Sequence, residues 1–152
     1  MAANNDHRIC RIQKLGNLGS DIQNLLREAV EARLSSYSPY SKFQVGAAVL
    51  AEDGTVYRGC NIENASFPIG ICAEKTAFGA AICSGRKKFK AVAVIASQEK
   101  GYTTPCGGCR QFMSEFGEVD VYISKPELND VLVTTLGNIL PLKFEVCEDY
   151  SF

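Results

Sequence analysis

Three cysteines and one carboxylate, Cys72, Glu74, Cys106 and Cys109, constrain this chain more than any other feature. They sit in two segments, Cys72-Ala73-Glu74 and Pro105-Cys106-Gly107-Gly108-Cys109. The interval between them has room for a helix, a strand and a loop. A fold that unites the two segments must therefore bring the chain back to its own earlier position. Three ligands are the complement of a catalytic zinc ion, which keeps its fourth position open; a closed structural site uses four. The single histidine, His7, lies in a polar N-terminal stretch and reads as a solvated tail residue. A metal site in this chain is thus built from cysteine.

The length of 152 residues, with 46% hydrophobic and 22% charged, suits one domain with a core that needs no disulfides. Sixteen basic residues against 17 acidic ones, net charge −1, argue against a protein that binds by neutralising many phosphates. No nucleic-acid partner is expected. Seven cysteines, an odd number, need no pairing in a reducing compartment, so a cytoplasmic location is expected. Residues 1 to 17 carry no signal-peptide core. The run from Val131 to Leu142 is uncharged but holds Gly137 and Pro141 and is too short to cross a bilayer. No membrane partner is expected.

Residues 1–19 lack periodicity and read as a mobile extension, leaving 20–152 as the domain. Ser20 reads as a helix cap with Gln23 reaching back. Ile22, Leu25, Leu26, Ala29, Val30 and Leu34 then recur at helical spacing and read as a core-facing stripe. After the Tyr37-Ser38-Pro39-Tyr40-Ser41 loop, 43–51 and 55–62 read as strands joined at Asp53-Gly54, a strong hairpin signal. Phe43 fits a core aromatic as well as a site residue. Asn61, Glu63 and Asn64 end the second strand, and their position alone favours turn residues. Residues 72–84 read as a helix apolar on most faces, closed by Gly85. A strand at 91–96, a helix at 106–116, strands at 119–124 and 131–135, and a short piece at 136–144 follow. The order is α-β-β-α-β-α-β-β, with one sheet and helices on its faces.

The chemistry these residues allow is specific. Cysteines in the first turn of a helix are favoured as thiolates by the dipole and the free N–H groups. Three thiolates on Zn²⁺ leave a net charge of −1, which weakens the ion as a Lewis acid. The helix dipoles and a nearby cation, Lys75 or Arg110, offset this, and zinc then lowers the pKa of bound water toward about 7. Glu74, two residues from a ligand, lies near the metal without binding it and can carry protons. Two other readings remain open. A redox C-x-x-C pair would need neither Cys72 nor Glu74, and a structural zinc site would take a fourth ligand from Cys60, Cys83 or Cys147.

C-x-E followed by P-C-x-x-C is the pattern of zinc-dependent nucleobase deaminases. Three segments make the match narrower: 37–48 (Tyr-Ser-Pro-Tyr-Ser-Lys-Phe-Gln-Val-Gly-Ala-Ala), 59–65 (Gly-Cys-Asn-Ile-Glu-Asn-Ala), and Cys72-Ala73-Glu74 with 105–111. Over roughly residues 22 to 144 the sequence resembles the small, homotetrameric cytidine deaminases of pyrimidine salvage. The resemblance implies a three-layer α-β-α fold with one mixed five-stranded sheet. It implies one zinc per chain on Cys72, Cys106 and Cys109, and Glu74 as proton shuttle for attack of water at C4 of cytidine or 2′-deoxycytidine. It implies Asn61 and Glu63 on the ribose, Phe43 against the base, and backbone groups at Ala65 and Ala73 recognising the base. It also implies that Phe144 reaches the site of a neighbouring subunit. Three departures stand out. Lys75 replaces an arginine that in many relatives bonds to the zinc thiolates. Phe67 replaces a tyrosine, and the usual Gly-Pro after Phe144 is absent.

Overall fold

A computed structural model of the chain describes residues 9–146. Its elements are β1 (Arg11–Lys14), α1 (Ser20–Arg33), β2 (Val45–Ala51), β3 (Val56–Cys60), α2 (Ala73–Cys83), β4 (Phe89–Ala96), α3 (Gly107–Ser114), β5 (Asp120–Ser124), β6 (Asp130–Thr135) and α4 (Leu136–Ile139). The strands form one sheet in the order β1-β6-β5-β4-β2-β3. Only β4 and β5 run parallel; every other neighbouring pair is antiparallel.

Strand alternation divides the core in two. Along β2, Ala47, Val49 and Ala51 face a cluster that includes Ala73, Ala77 and Phe78 of α2. Ala48 and Leu50 face the opposite cluster, with Leu25, Leu26 and Ala29 of α1. Side chains of successive strand residues point to opposite faces, so an unbroken apolar run is what a strand covered on both sides requires. Phe78 anchors the first cluster, with Phe89 edge-on at 4.7 Å and Phe112 and Phe116 beside it. The helices lie on both faces of a mixed sheet, as expected.

The sheet has six strands, not five. The additional strand, β1, lies within the stretch that the sequence suggested was a mobile extension. Arg11 to Lys14 pair with Val133 to Asp130, Lys14 forms an ion pair with Asp130 at 2.7 Å, and Thr134 Oγ1 donates to the Ile9 carbonyl at 2.6 Å. Arg-Ile-Gln-Lys is short, mixed and mostly exposed, so only its tertiary pairing makes it a strand. The cap of α1 also differs. Gly19 is the N-cap, without a side-chain bond, and Gln23 Nε2 donates to the Leu18 carbonyl at 2.8 Å. His7 and Cys147 lie outside the described residues.

Two glycines set how closely the helices approach the sheet. A β-carbon on Gly46 would stand 2.1 Å from the Ala29 carbonyl oxygen of α1. One on Gly59 would stand 2.2 Å from the Ala77 nitrogen and 2.5 Å from the Ala73 carbonyl oxygen of α2. Only glycine permits these contacts. Gly59 thereby seats the first turn of α2 directly on the end of β3. Thr76 Oγ1 fastens it there, placed 2.8 Å from both the Cys60 and the Ala73 carbonyls.

Candidate active site and metal centre

Strand directions gather the site. Val45 pairs with Ala96 and Gly46 with Cys60, so the start of β2 and the ends of β3 and β4 share one edge of the sheet. The chain leaves β3 toward α2 and β4 toward α3, and both helices therefore begin at that edge. This is the end of an α/β sheet at which ligands commonly bind. Cys72 is the N-cap of α2 and Cys106 the N-cap of α3, one position ahead of the first turns expected from the sequence. Each residue thus sits at the positive end of a helix dipole, and of the two only the Cys106 thiol takes a cap bond. The Cys109 backbone N–H donates to Cys106 Sγ at 3.4 Å.

The thiols of Cys72, Cys106 and Cys109 all lie within 4.8 Å of one another, and Cys72 Sγ is 3.9 Å from Cys106 Sγ. A tetrahedral ion with Zn–S bonds of about 2.3 Å holds its sulfurs about 3.8 Å apart, so the donor set fits zinc in both chemistry and spacing. The triad is the only such metal-ligand group among the described residues. Cys60 is elsewhere, its thiol donating to the Ser35 carbonyl at 3.3 Å, and Cys83 is exposed at the far end of α2.

The thiols also compete for protons. The hydrogen bond shared with Cys109 lowers the Cys72 thiol to about 6, against burial, and Cys106 and the Lys75 charge assist. The same shared bond, with burial, drives Cys109 far upward. A divalent cation removes this competition by replacing the protons. Lys75 Nζ lies 3.8 Å from the position a β-carbon on Gly108 would take, with Cys106 Sγ 3.9 Å from the same point. Arg110 is committed elsewhere. Its guanidinium donates to the Pro105 carbonyl at 2.8 Å, the Ile139 carbonyl at 3.1 Å and Thr104 Oγ1 at 3.4 Å. Of the two cations adjacent to the ligands in sequence, Lys75 is the one beside the thiols.

Glu74 is 4% exposed in the first turn of α2. Burial pushes its carboxyl up, and the charge on Cys72 pushes the same way; the Cys109 thiol and Lys75 oppose them. A cleft of about 370 Å³ opens onto this group, lined by Glu74, Cys72 and Cys106 and, further out, by Phe43, Asn61 and Glu63.

Asn61 and Glu63 brace the wall of the cleft. Asn61 Oδ1 accepts from the Val45 N–H at 2.9 Å and from the Ser36 hydroxyl, while its Nδ2 donates to the Phe43 carbonyl at 2.8 Å. The Glu63 carboxylate accepts from the Tyr40 N–H at 2.8 Å, the Ser41 N–H at 3.2 Å and the Ser41 hydroxyl. That hydroxyl, more than the backbone donors, holds Glu63 below the usual carboxylate range. Both residues fix the loop that presents Phe43, and Lys42 reaches that position with φ 59, in the left-handed region. A short bridge of Ile62 with Ile71 ties this wall to the residue preceding Cys72.

Residues 20–125 match the family model of the cytidine and deoxycytidylate deaminase zinc-binding region. The chain belongs to this family. It is 48% identical to a cytidine deaminase of Sporosarcina psychrophila over 134 residues, covering 87% of this chain and 96% of that protein. It is 45% identical to one from Halalkalibacterium halodurans, over 82% of this chain and 94% of the relative. Among solved structures, the cytidine deaminase of Burkholderia pseudomallei superposes with a TM-score of 0.75 at 42% identity, over 80% of this chain and 97% of that one. The cytidine deaminase of Mycobacterium tuberculosis gives 0.68 at 36%, over 81% and 97%. Zinc is the metal of the family, and the three cysteines are placed to hold it.

Within this deaminase fold, Ala73 is fully buried and lines the cleft, whereas Ala65 is exposed and does not line it. Phe144 is 77% exposed and also lies outside its own chain's cleft. Phe67 lines the cleft at 75% exposure, with the Tyr40 ring tilted against it at 5.7 Å. Thr103 and Thr104 line it too, and sequence reasoning did not single them out. Their only signal was position, immediately before Pro105-Cys106 in a polar loop. No helix among the described residues is long and apolar enough to cross a membrane.

Proposed function

We propose that this chain hydrolyses the exocyclic amine of cytidine and 2′-deoxycytidine, consuming water and releasing ammonia with uridine or 2′-deoxyuridine. The observation that carries the reading is one cleft in which a buried carboxylate and two thiols of a convergent triad meet a polar wall at Asn61 and Glu63. Cys72, Cys106 and Cys109 hold zinc, whose Lewis acidity makes water a usable nucleophile near neutral pH. The Glu74 carboxylate takes a proton from the attacking water. It delivers that proton to ring nitrogen N3, then takes the proton of the hydroxyl added at C4 and passes it to the departing amine. Burial suits it to this exchange, because a raised pKa makes the carboxylate a stronger base and brings its proton affinity closer to the working pH. Lys75 offsets the excess negative charge of three thiolates.

Phe43 packs against the pyrimidine, and the backbone at Ala73, inside the cleft, reads the base. Asn61 and Glu63 take the ribose hydroxyls with the hydrogen-bonding capacity their bracing bonds leave free. The cleft lining contains no lysine, arginine or histidine, and it carries two carboxyl groups. That favours an uncharged nucleoside over a nucleotide or a polynucleotide. Tyr40, Phe67, Ile69 and Phe144 are apolar or aromatic and half or more exposed, which suits a homotetramer with clefts at subunit contacts. Six free thiols among the described residues fit a reducing, cytoplasmic setting.

The test is turnover by the zinc-loaded chain, followed in the ultraviolet. Cytidine and 2′-deoxycytidine are converted, deoxycytidylate is a poor substrate, and single-stranded DNA does not compete. Preference for deoxycytidylate would refute the charge argument.

A further inference from the structure

The residue following Arg110 on the metal-bearing helix binds a segment far away in sequence. Gln111 Nε2 donates to the Phe144 carbonyl at 2.9 Å, and the Phe144 N–H donates to Gln111 Oε1 at 3.0 Å. Both halves of one carboxamide engage both backbone groups of one residue, as a neighbouring strand would. A two-point bond of this kind fixes the direction of the Phe144 Cα–Cβ bond as well as its position. The surrounding segment has little else to hold it. Residues 141–146 are all exposed and form no helix or strand. Arg110 secures the carbonyl of Ile139 at the end of α4, and Gln111 takes the next hold, at Phe144. The Phe144 ring itself points outward. Its own cleft, meanwhile, presents Phe43, Phe67 and Ile71, all at least one-third exposed.

We propose that Gln111 is a positioning residue: its carboxamide holds the Phe144 backbone and so aims the Phe144 ring into the nucleoside cleft of a second copy. The inference rests on the cytidine reading for its substrate, and on Phe144 acting in a neighbouring subunit. α3 thus serves two sites. Its first turn supplies Cys106 and Cys109 to its own metal, and its next turn orients an aromatic for the other copy's substrate.

The experiment compares Gln111→Ala, Gln111→Glu, Phe144→Ala and the double variant Gln111→Ala/Phe144→Ala. Gln111→Glu keeps the shape of the side chain but replaces the amide donor with a charge facing the Phe144 carbonyl. Cytidine KM rises roughly tenfold in each single variant, with kcat changed less than about twofold and one zinc per chain retained. The double variant is no worse than the worse single one, because both act through one ring. Deuterium exchange across 140–146 quickens in both Gln111 variants. A wild-type KM in Gln111→Ala overturns the proposal. So do loss of zinc in the Gln111 variants, a multiplied rise of about a hundredfold in the double variant, and unchanged exchange at 140–146. If the wild-type chain leaves cytidine untouched, the substrate reading fails by itself, and the exchange rates still decide the anchor.

Discussion

Gly59→Ala should disable the metal site from a position that touches neither metal nor substrate. The added β-carbon would stand 2.2 Å from the Ala77 nitrogen, about 1 Å short of the 3.4 Å at which ordinary contact begins. It would also stand 2.5 Å from the Ala73 carbonyl oxygen and from Thr76 Oγ1. Two of these three atoms are helix backbone, so no rotamer change relieves the clash. α2 must move off the sheet, carrying Cys72 and Glu74 with it, while Cys106 and Cys109 stay on α3. Overpacking of this kind costs about 3 kcal/mol, which for a chain of this size lowers Tm by roughly 10 °C. A shift of about 1 Å exceeds the tolerance of a metal site, so zinc affinity falls by at least about tenfold. Gly79→Ala is the matched control on the same helix. Nothing lies within 4 Å of its added β-carbon, and it gains about 0.5–1 kcal/mol of helix propensity. The assays are thermal unfolding and competition for zinc with a chromophoric chelator. Gly59→Ala with wild-type Tm and zinc affinity would refute the claim that this close approach places the ligands.

Other expectations follow from the same geometry. Replacing any one of Cys72, Cys106 and Cys109 with serine releases zinc by metal analysis, whereas Cys60→Ser retains it; release from Cys60→Ser would revive a four-cysteine structural site. Lys75→Gln weakens zinc about tenfold in chelator competition and Lys75→Arg restores it, because the charge beside the thiols is what matters. The folded Glu63 carboxyl lies below its ordinary 4.5, so its bracing stability is complete above that pH and is lost as pH falls through the lower folded value. The Tm deficit of Glu63→Gln is therefore constant from neutral pH down to 4.5 and shrinks only below it, as pH-dependent melts would record. Phe67→Tyr lowers the KM for cytidine modestly by supplying a hydroxyl at the mouth of the cleft; an unchanged KM removes Phe67 from the substrate contacts.

Much of this was legible in the sequence, for identifiable physical reasons. The alternation and unbroken apolar runs of β2 and β4 announced strands buried on both faces, and the stripe of Leu25, Leu26 and Ala29 announced the helix over one of them. Cysteine and carboxylate spacing specified the thiol cluster, because metal chemistry fixes the number and type of its donors. What escaped was decided by contacts between distant residues. β1 is a strand only because β6 offers its edge. Asn61 and Glu63 looked like turn residues by position and binding residues by resemblance; both brace the loop that ends at Phe43 and line the cleft. The division between Lys75, beside the thiols, and Arg110, bound to three backbone or hydroxyl oxygens, depends on side-chain paths that adjacent sequence positions do not reveal. Gln111 ends the matched 105–111 segment, but nothing there pointed to a partner 33 residues away.

The most direct test of the account is cytidine turnover by Glu74→Gln with zinc counted in the same sample. The account predicts one zinc per chain and a kcat reduced by at least about a thousandfold, because the metal keeps its three thiols and the reaction loses its proton carrier. A zinc-loaded Glu74→Gln that turns over cytidine at the wild-type rate would contradict it.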